Sequence, residues 1–366
     1  MSTSKIKRLG ILTGGGDCPG LNAVIRAVAK TAFNRYNIEV LGITNGFRGI
    51  MENEHFLLND SHVSGILHRG GTILGTTNRD NPFRYPVGTE NGTTVWGDVS
   101  DQAMANLKKM EIEALIVVGG DGSLIIGNEL YKKGIPVVGI PKTIDNDLSA
   151  TDITFGFDTA LNTATDAIDK LHTTAESHHR AMILEVMGRN AGWIALHSGM
   201  AGGADVILIP EIPFTYDSIY NKISDRQNRG KKFSIIVVAE GATLPDGDLV
   251  YQKEVIDNPH HSKLGGVADI VGSEIQKQFG VETRVTVLGH LQRGGTPTPF
   301  DRILGTRFGV KAVELAMAGE FGKMVCLCSG AIQSVSMEDA VAVQKLVRAD
   351  GELVRAAKSV GTSFGD

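Results

Sequence analysis

The feature that most constrains this chain is an alternation of short β-branched runs with stretches of helical period, several runs ending in glycine or aspartate. LGILT leads to a helical pattern over 21–33, then IEVLGI. Residues 102–109 read as a helix before ALIVVGG, and 124–132 before IPVVGIP. Apolar runs without polar alternation are those of strands covered on both faces, and a helix between successive runs is the crossover that parallel pairing requires. The pattern then restarts, predicting helices over 159–174, 192–200, 216–229, 270–278 and 299–318. Strands are predicted at RAMILEVM, DVILIPE, FSIIVVAEGA and TRVTVLG. A second α/β lobe follows, and 366 residues is a length that suits two lobes. Two stretches, 79–98 and 243–266, read as long loops, and no repeat of solenoid length is evident.

Ligands of open parallel sheets bind beyond the carboxyl ends of the strands. The clusters TGGGDCPGLN (13–22), GGDGS (119–123) and PKTIDND (141–147) all occupy such places. The first sets bare backbone amides beside a helix N-terminus, an arrangement that holds phosphate. It is not a Walker A loop, because no Gly-Lys-Ser/Thr follows. Nor is it a dinucleotide fingerprint, since Pro19 stands where the third glycine belongs. GGDGS offers backbone to phosphates and Asp121 to a Mg²⁺ ion, usually through water, and it also marks the lipid and NAD kinases. PKTIDND gathers Lys142, Thr143, Asp145 and Asp147 within seven residues. Such a cluster can deprotonate a hydroxyl and neutralise a transferring group.

Composition removes several classes. A net charge of −5 gives no basic footprint for nucleic acid. No apolar run is long enough for a membrane span, and the short run after the basic start ends in glycines, so no signal peptide is read there. Cys18, Cys326 and Cys328 are too few for a disulfide framework or a zinc site and suit a reducing, cytoplasmic compartment. Cys18 lies in the first glycine loop and is read as incidental. His260 and His261 are read as solvated.

With these motifs in view, the chain resembles the phosphofructokinases, the family that includes the bacterial glycolytic enzyme. The resemblance runs in order through GGGDCPGLNAVIR, GGDGS, PKTIDND, EVMGRNAG (185–192), AEG (239–241) and TRVTVLGHLQRGG (283–295). It implies two Rossmann-like three-layer α/β lobes, 1–156 plus 292–342 for the donor and 157–291 plus 343–366 for the sugar phosphate, with the active site in the cleft between them. It implies Mg²⁺-dependent phosphoryl transfer to the 1-hydroxyl of fructose 6-phosphate. Asp145 would be the general base, helped by Thr143 and Asp147, and Asp121 would hold the metal. Gly15, Gly16, Gly122 and Ser123 would approach the donor phosphates, with Lys142 beside them, and Arg79 would lie near the bridging phosphates. Arg189 would stabilise the developing charge. Arg180, Arg284, His290 and Arg293 would cradle the 6-phosphate, and Met187, Gly188 and Glu240 would meet the sugar. The family's sharing of Arg180 and Arg284 across subunits implies an oligomer, expected to be a homotetramer.

The resemblance leaves the donor open. Gly122 matches the ATP-using members, whereas an aspartate there, as in the pyrophosphate-using members, would crowd a nucleotide. Lys142 matches the pyrophosphate-using members, and Ile126 stands where many ATP enzymes have glycine. ATP is favoured, with pyrophosphate as the alternative. At the family's effector positions Arg26 and Lys231 are retained, while Lys30, Asp60, His172 and Phe233 depart from it, implying weak or altered regulation by ADP and phosphoenolpyruvate. A non-enzymatic sugar-phosphate sensor would be expected to lose Asp145 or Arg189, and both are present.

Overall fold

The computed structural model describes residues 6–90, 92–253 and 263–366, so His260 and His261 lie outside the described residues. The chain forms two compact units. Met1–Ile144, Leu148–Thr159 and Arg293–Gln344 make the first, and Asp145–Asp147, Ala160–Gln292 and Lys345–Asp366 the second.

The first unit is built on a seven-stranded sheet. Its centre is the parallel set Lys323–Cys328, Val137–Pro141, Ala114–Gly119, Arg8–Thr13 and Glu39–Ile43. Ala331–Ser336 and His55–Leu57 flank it as antiparallel edge strands. Every residue of Ala114–Gly119 is buried, as expected of a strand covered on both faces. Its Leu115 and Val117 pack with Leu12, Leu124, Val137 and Met324 in one core, each such side chain stabilising the fold by about 1.5–3 kcal/mol on burial. The long helix Pro299–Ala318 begins where its sequence directs: Pro299 needs no amide partner at the first position, Thr298 caps the Asp301 amide, and Gly319 ends the helix at φ 73°.

The second unit carries a fully parallel four-stranded sheet in the order Thr283–Val287, Ala181–Val186, Ser234–Ala239 and Val206–Leu208. Ile183, Leu208, Ile236 and Val271 lie in its core. Glu185, at an otherwise apolar strand end, is buried because its carboxylate accepts the amides of Gly266 and Ala268, at 3.0 Å each. It thereby caps the helix Val267–Phe279.

The structure corrects the two loop readings. Residues 79–98 contain an antiparallel hairpin, Tyr85–Glu90 with Thr93–Gly97. The threonines, Val95 and Trp96 suit a pleated surface better than the two prolines suggest, and the Arg84 guanidinium lies 5.2 Å from the Trp96 ring centroid. Within 243–266 the short strands Tyr251–Lys253 and Lys263–Leu264 pair antiparallel. Strands Lys323–Cys328 and Ala331–Ser336 were not anticipated, and the helix expected over 159–174 runs as Phe157–His178.

Candidate active site

In the first unit the glycine loop, the GGDGS turn and Lys142 converge. The loop leaves the strand Arg8–Thr13 through Gly14, whose amide bonds to Val118 O, and Gly15, whose amide bonds to Thr77 O, both at 2.9 Å. Lys142 is buried, its ammonium donating to Gly16 O and its amide to Gly119 O. Arg293 closes the other side, donating to Asp17 O at 3.1 Å. A Cβ at Gly16 would run into the Arg293 guanidinium, so glycine is what lets that cation reach the loop. Arg79 is exposed on the following segment.

Asp121 and Gly122 open the helix Asp121–Lys132, whose N-terminal amides and dipole favour an anion. Asp121 Oδ1 accepts the Gly122 amide at 2.7 Å, and a Cβ at Gly122 would meet nothing within 4 Å. Among the described residues no three His, Cys, Asp or Glu gather as a metal cage. A single exposed carboxylate at a helix start that favours anions fits Mg²⁺, which keeps most of its waters and binds through one or two carboxylates plus substrate phosphates.

The PKTIDND motif divides between the units: residues 141–144 belong to the first and Asp145–Asp147 to the second. Thr143 O accepts from Thr154 Oγ1 at 2.7 Å. Asn146 is buried and left-handed at φ 52°, a conformation asparagine tolerates better than most residues. The turn sets Asp145 and Asp147, both half-buried, on either side of it.

In the second unit the loops after two neighbouring strands pack backbone to backbone. Glu240 N bonds to Val186 O at 2.8 Å and Gly241 N to Gly188 O at 3.1 Å. A Cβ at Gly241 would overlap Arg189 O, and one at Gly188 would stand 2.8 Å from Ala191 O. Met187, Gly188, Arg189 and Glu240 are thus brought together. Arg180 and Arg284 also meet, each pairing with Glu282 Oε1, at 2.9 and 2.6 Å. Hydrogen bonding to Arg180 is the main cause holding Glu282 below the usual carboxylate range. His290 lies exposed in the turn Gly289–Arg293. Arg293, grouped in the sequence reading with these cations, belongs to the unit that holds the glycine loop.

Three carboxylates that organise these loops were missed. Glu282 pins two arginines, and Glu211 accepts the Gly192 and Val347 amides. Asp301 accepts Gly156 N, Thr159 N and Thr159 Oγ1. Burial pushes Asp301 up to about 6, against those hydrogen bonds. Glu282 adjoins a strand that was recognised, but Glu211 and Asp301 are far in sequence from most of their partners. Cys18 is buried, and desolvation pushes its thiol up to about 12. Of the residues the resemblance set at effector positions, Lys30 pairs with Asp60, and His172 meets Phe233 edge-on at 5.8 Å.

Residues 8–316 match the phosphofructokinase family model. The chain is 55% identical over 362 residues to a Clostridium perfringens protein named ATP-dependent 6-phosphofructokinase 2, covering 99% of each. Among solved structures it is similar to a phosphofructokinase of Pichia pastoris in the T-state, with TM-score 0.77 and 30% identity, covering 98% of this chain and 37% of that longer one. It shares its fold with a pyrophosphate-dependent phosphofructokinase of Nitrosospira multiformis, with TM-score 0.81 and 21% identity, covering 99% and 93%. A two-unit α/β scaffold, glycine and aspartate loops at its strand ends and a match over most of its length together show that this chain belongs to the phosphofructokinase family.

Proposed function

We propose that the chain is an ATP-dependent 6-phosphofructokinase that converts fructose 6-phosphate and ATP to fructose 1,6-bisphosphate and ADP in glycolysis. The observation that carries this reading is the 55% identity, over nearly the full length of both chains, to a protein named for that activity. The open space beside Gly122 supports ATP, since a nucleotide needs room there. The pyrophosphate-dependent alternative is not favoured, because at 21% identity its relative shares only the fold.

In this reading Asp145 takes the proton from the 1-hydroxyl as its oxygen attacks the terminal phosphorus of ATP and ADP leaves. Thr143 and Asp147 support that carboxylate. Arg189 faces the developing negative charge, and Gly15, Gly16, Gly122 and Ser123 offer backbone and hydroxyl to the donor phosphates, with Lys142 and Arg79 as the nearby cations. Asp121 would hold Mg²⁺, which would supply positive charge beside those phosphates. Arg180, Arg284, His290 and Arg293 bind the 6-phosphate, for which arginine's planar donor fork is suited. Met187, Gly188 and Glu240 contact the sugar.

The enzyme works as a homotetramer in the cytoplasm. No helix among the described residues is long and apolar enough to cross a membrane. Control by ADP and phosphoenolpyruvate is weak or altered, because Asp60 neutralises Lys30 where an effector phosphate would need free cations.

The test is product formation from fructose 6-phosphate, ATP and Mg²⁺ by wild type and Asp145→Ser. Loss of a general base should lower kcat by about 10²–10⁴-fold, with KM for the sugar phosphate little changed. A wild type that makes no product defeats the reading, and a near-normal kcat in the variant removes Asp145 from its role.

A further inference from the structure

We propose that Lys345 is a positioning residue for the Asp145–Asp147 turn, and that the segment Lys345–Val347 is the strap through which the second unit aims these two carboxylates. The proposal rests on the proposed role of Asp145, and it concerns a residue beyond the 8–316 span that the family model matches.

Lys345 bonds to two successive residues of the turn. Its ammonium donates to Asn146 Oδ1 at 2.9 Å, and its backbone amide donates to Asp147 O at 2.8 Å. The first bond acts on the side chain of the one left-handed residue of the motif, and the second on the peptide that follows it. A left-handed non-glycine residue is costly in isolation and persists where its surroundings hold it. Two bonds from one residue fix both the turn and the carboxylates flanking it.

The strap is itself anchored. Lys345 O accepts from Trp193 Nε1 at 2.6 Å, and the ammonium lies 5.7 Å from the Trp193 ring centroid, within cation–π range. Two residues on, the Val347 amide donates to Glu211 Oε1 at 2.9 Å, and Glu211 also receives the Gly192 amide at 3.0 and 3.1 Å. Gly192 precedes the helix Trp193–Ala201 and ends the loop that carries Arg189. One carboxylate and one tryptophan therefore tie the strap to the start of that helix, while Lys345 ties it to the Asp145–Asp147 turn. A geometric error of about 1 Å in such a group lowers rate on the order of 10²-fold, so loss of part of this support should show in turnover.

Lys345→Met keeps most of the side-chain stem and all backbone bonds and removes the ammonium. The full-length variant is compared with wild type by steady-state kinetics with fructose 6-phosphate and ATP, by melting temperature, and by amide hydrogen exchange. The expected result is a kcat lower by about 10-fold, KM for fructose 6-phosphate within about twofold, a melting temperature nearly unchanged, and faster exchange confined to residues 143–148. Asn146→Gly keeps the left-handed turn and removes the acceptor. It should lower kcat similarly, and the loss in the double variant should fall short of the sum of the two single losses, because the Lys345–Asn146 bond is common to both. Unchanged kcat in Lys345→Met, or additive losses in the double variant, would overturn the proposal. Hydrogen exchange reads the turn without turnover: a wild type that lacks activity counts against the proposed reaction, while unchanged exchange at 143–148 counts against the strap.

Discussion

Within each unit the candidate site residues are held by different means. In the first unit, side chains are left out: Gly16 admits the Arg293 guanidinium, and Gly122 leaves open space at a helix start. In the second, acids hold cationic side chains and loop backbone in place: Glu282 grips Arg180 and Arg284, and Glu211 accepts the backbone amides of Gly192 and Val347. In the proposed reaction the first design would offer backbone to phosphates. The second would offer cations to a phosphorylated sugar, and keeping like-charged groups together needs a shared counter-ion.

The contrast breaks most sharply at glycines. Gly241→Ala places a methyl on Arg189 O, backbone against backbone with no flexible side chain to yield, so we expect a stability loss of about 1–3 kcal/mol or a displaced Arg189 loop with a large drop in kcat. Gly122→Ala meets nothing and lies in a helix, so folding should be unchanged or improved by up to about 1 kcal/mol. Denaturant unfolding of both variants measures the difference, and equal effects would erase it.

Asp301 tests the first unit's reliance on one buried acid. Asp301→Ala leaves two amides and a hydroxyl without their acceptor and should cost about 2–4 kcal/mol. The pH dependence has a defined sign. Burial pushes the folded carboxyl up to about 6 from an ordinary 3.8, so the folded state holds the proton more tightly. Its favourable linkage contribution is full below pH 4 and is lost as pH rises from about 4 to 6. The stability advantage of wild type over Asp301→Ala should shrink by about 2–3 kcal/mol across that window, and an advantage that grows instead would contradict the burial argument.

Smaller effects are expected in the second unit. Glu282→Gln should change KM for fructose 6-phosphate by a few-fold with kcat nearly constant, because solvent screens exposed ion pairs and leaves them weak. A kcat collapse would mean that Glu282 does more than hold two arginines. Smaller still is the response to a thiol reagent at Cys18 in the native protein. Buried, with its thiol pushed up to about 12, it should remain unmodified while activity persists.

This division also explains what could be read from sequence. The central strands of both sheets were legible because their residues are uniformly apolar, and the glycine loops were legible because close approach restricts residue type. The hairpin within 79–98 was hidden by Pro82 and Pro86, which argue locally against strand. Glu211 and Asp301 left no local signal, since each is defined by partners distant in the chain: Val347 lies 136 residues from Glu211, and Gly156 lies 145 from Asp301. The placement of Arg293 against the glycine loop likewise depends on a return of the chain across 276 residues to Asp17.

The claim on which the rest depends is phosphoryl transfer from ATP to fructose 6-phosphate, and it is tested by offering purified protein the sugar phosphate and Mg²⁺ with ATP, ADP or pyrophosphate in turn. The account predicts fructose 1,6-bisphosphate with ATP, at a kcat/KM well above that with either other donor. Preference for pyrophosphate, or no bisphosphate with any donor, would contradict it.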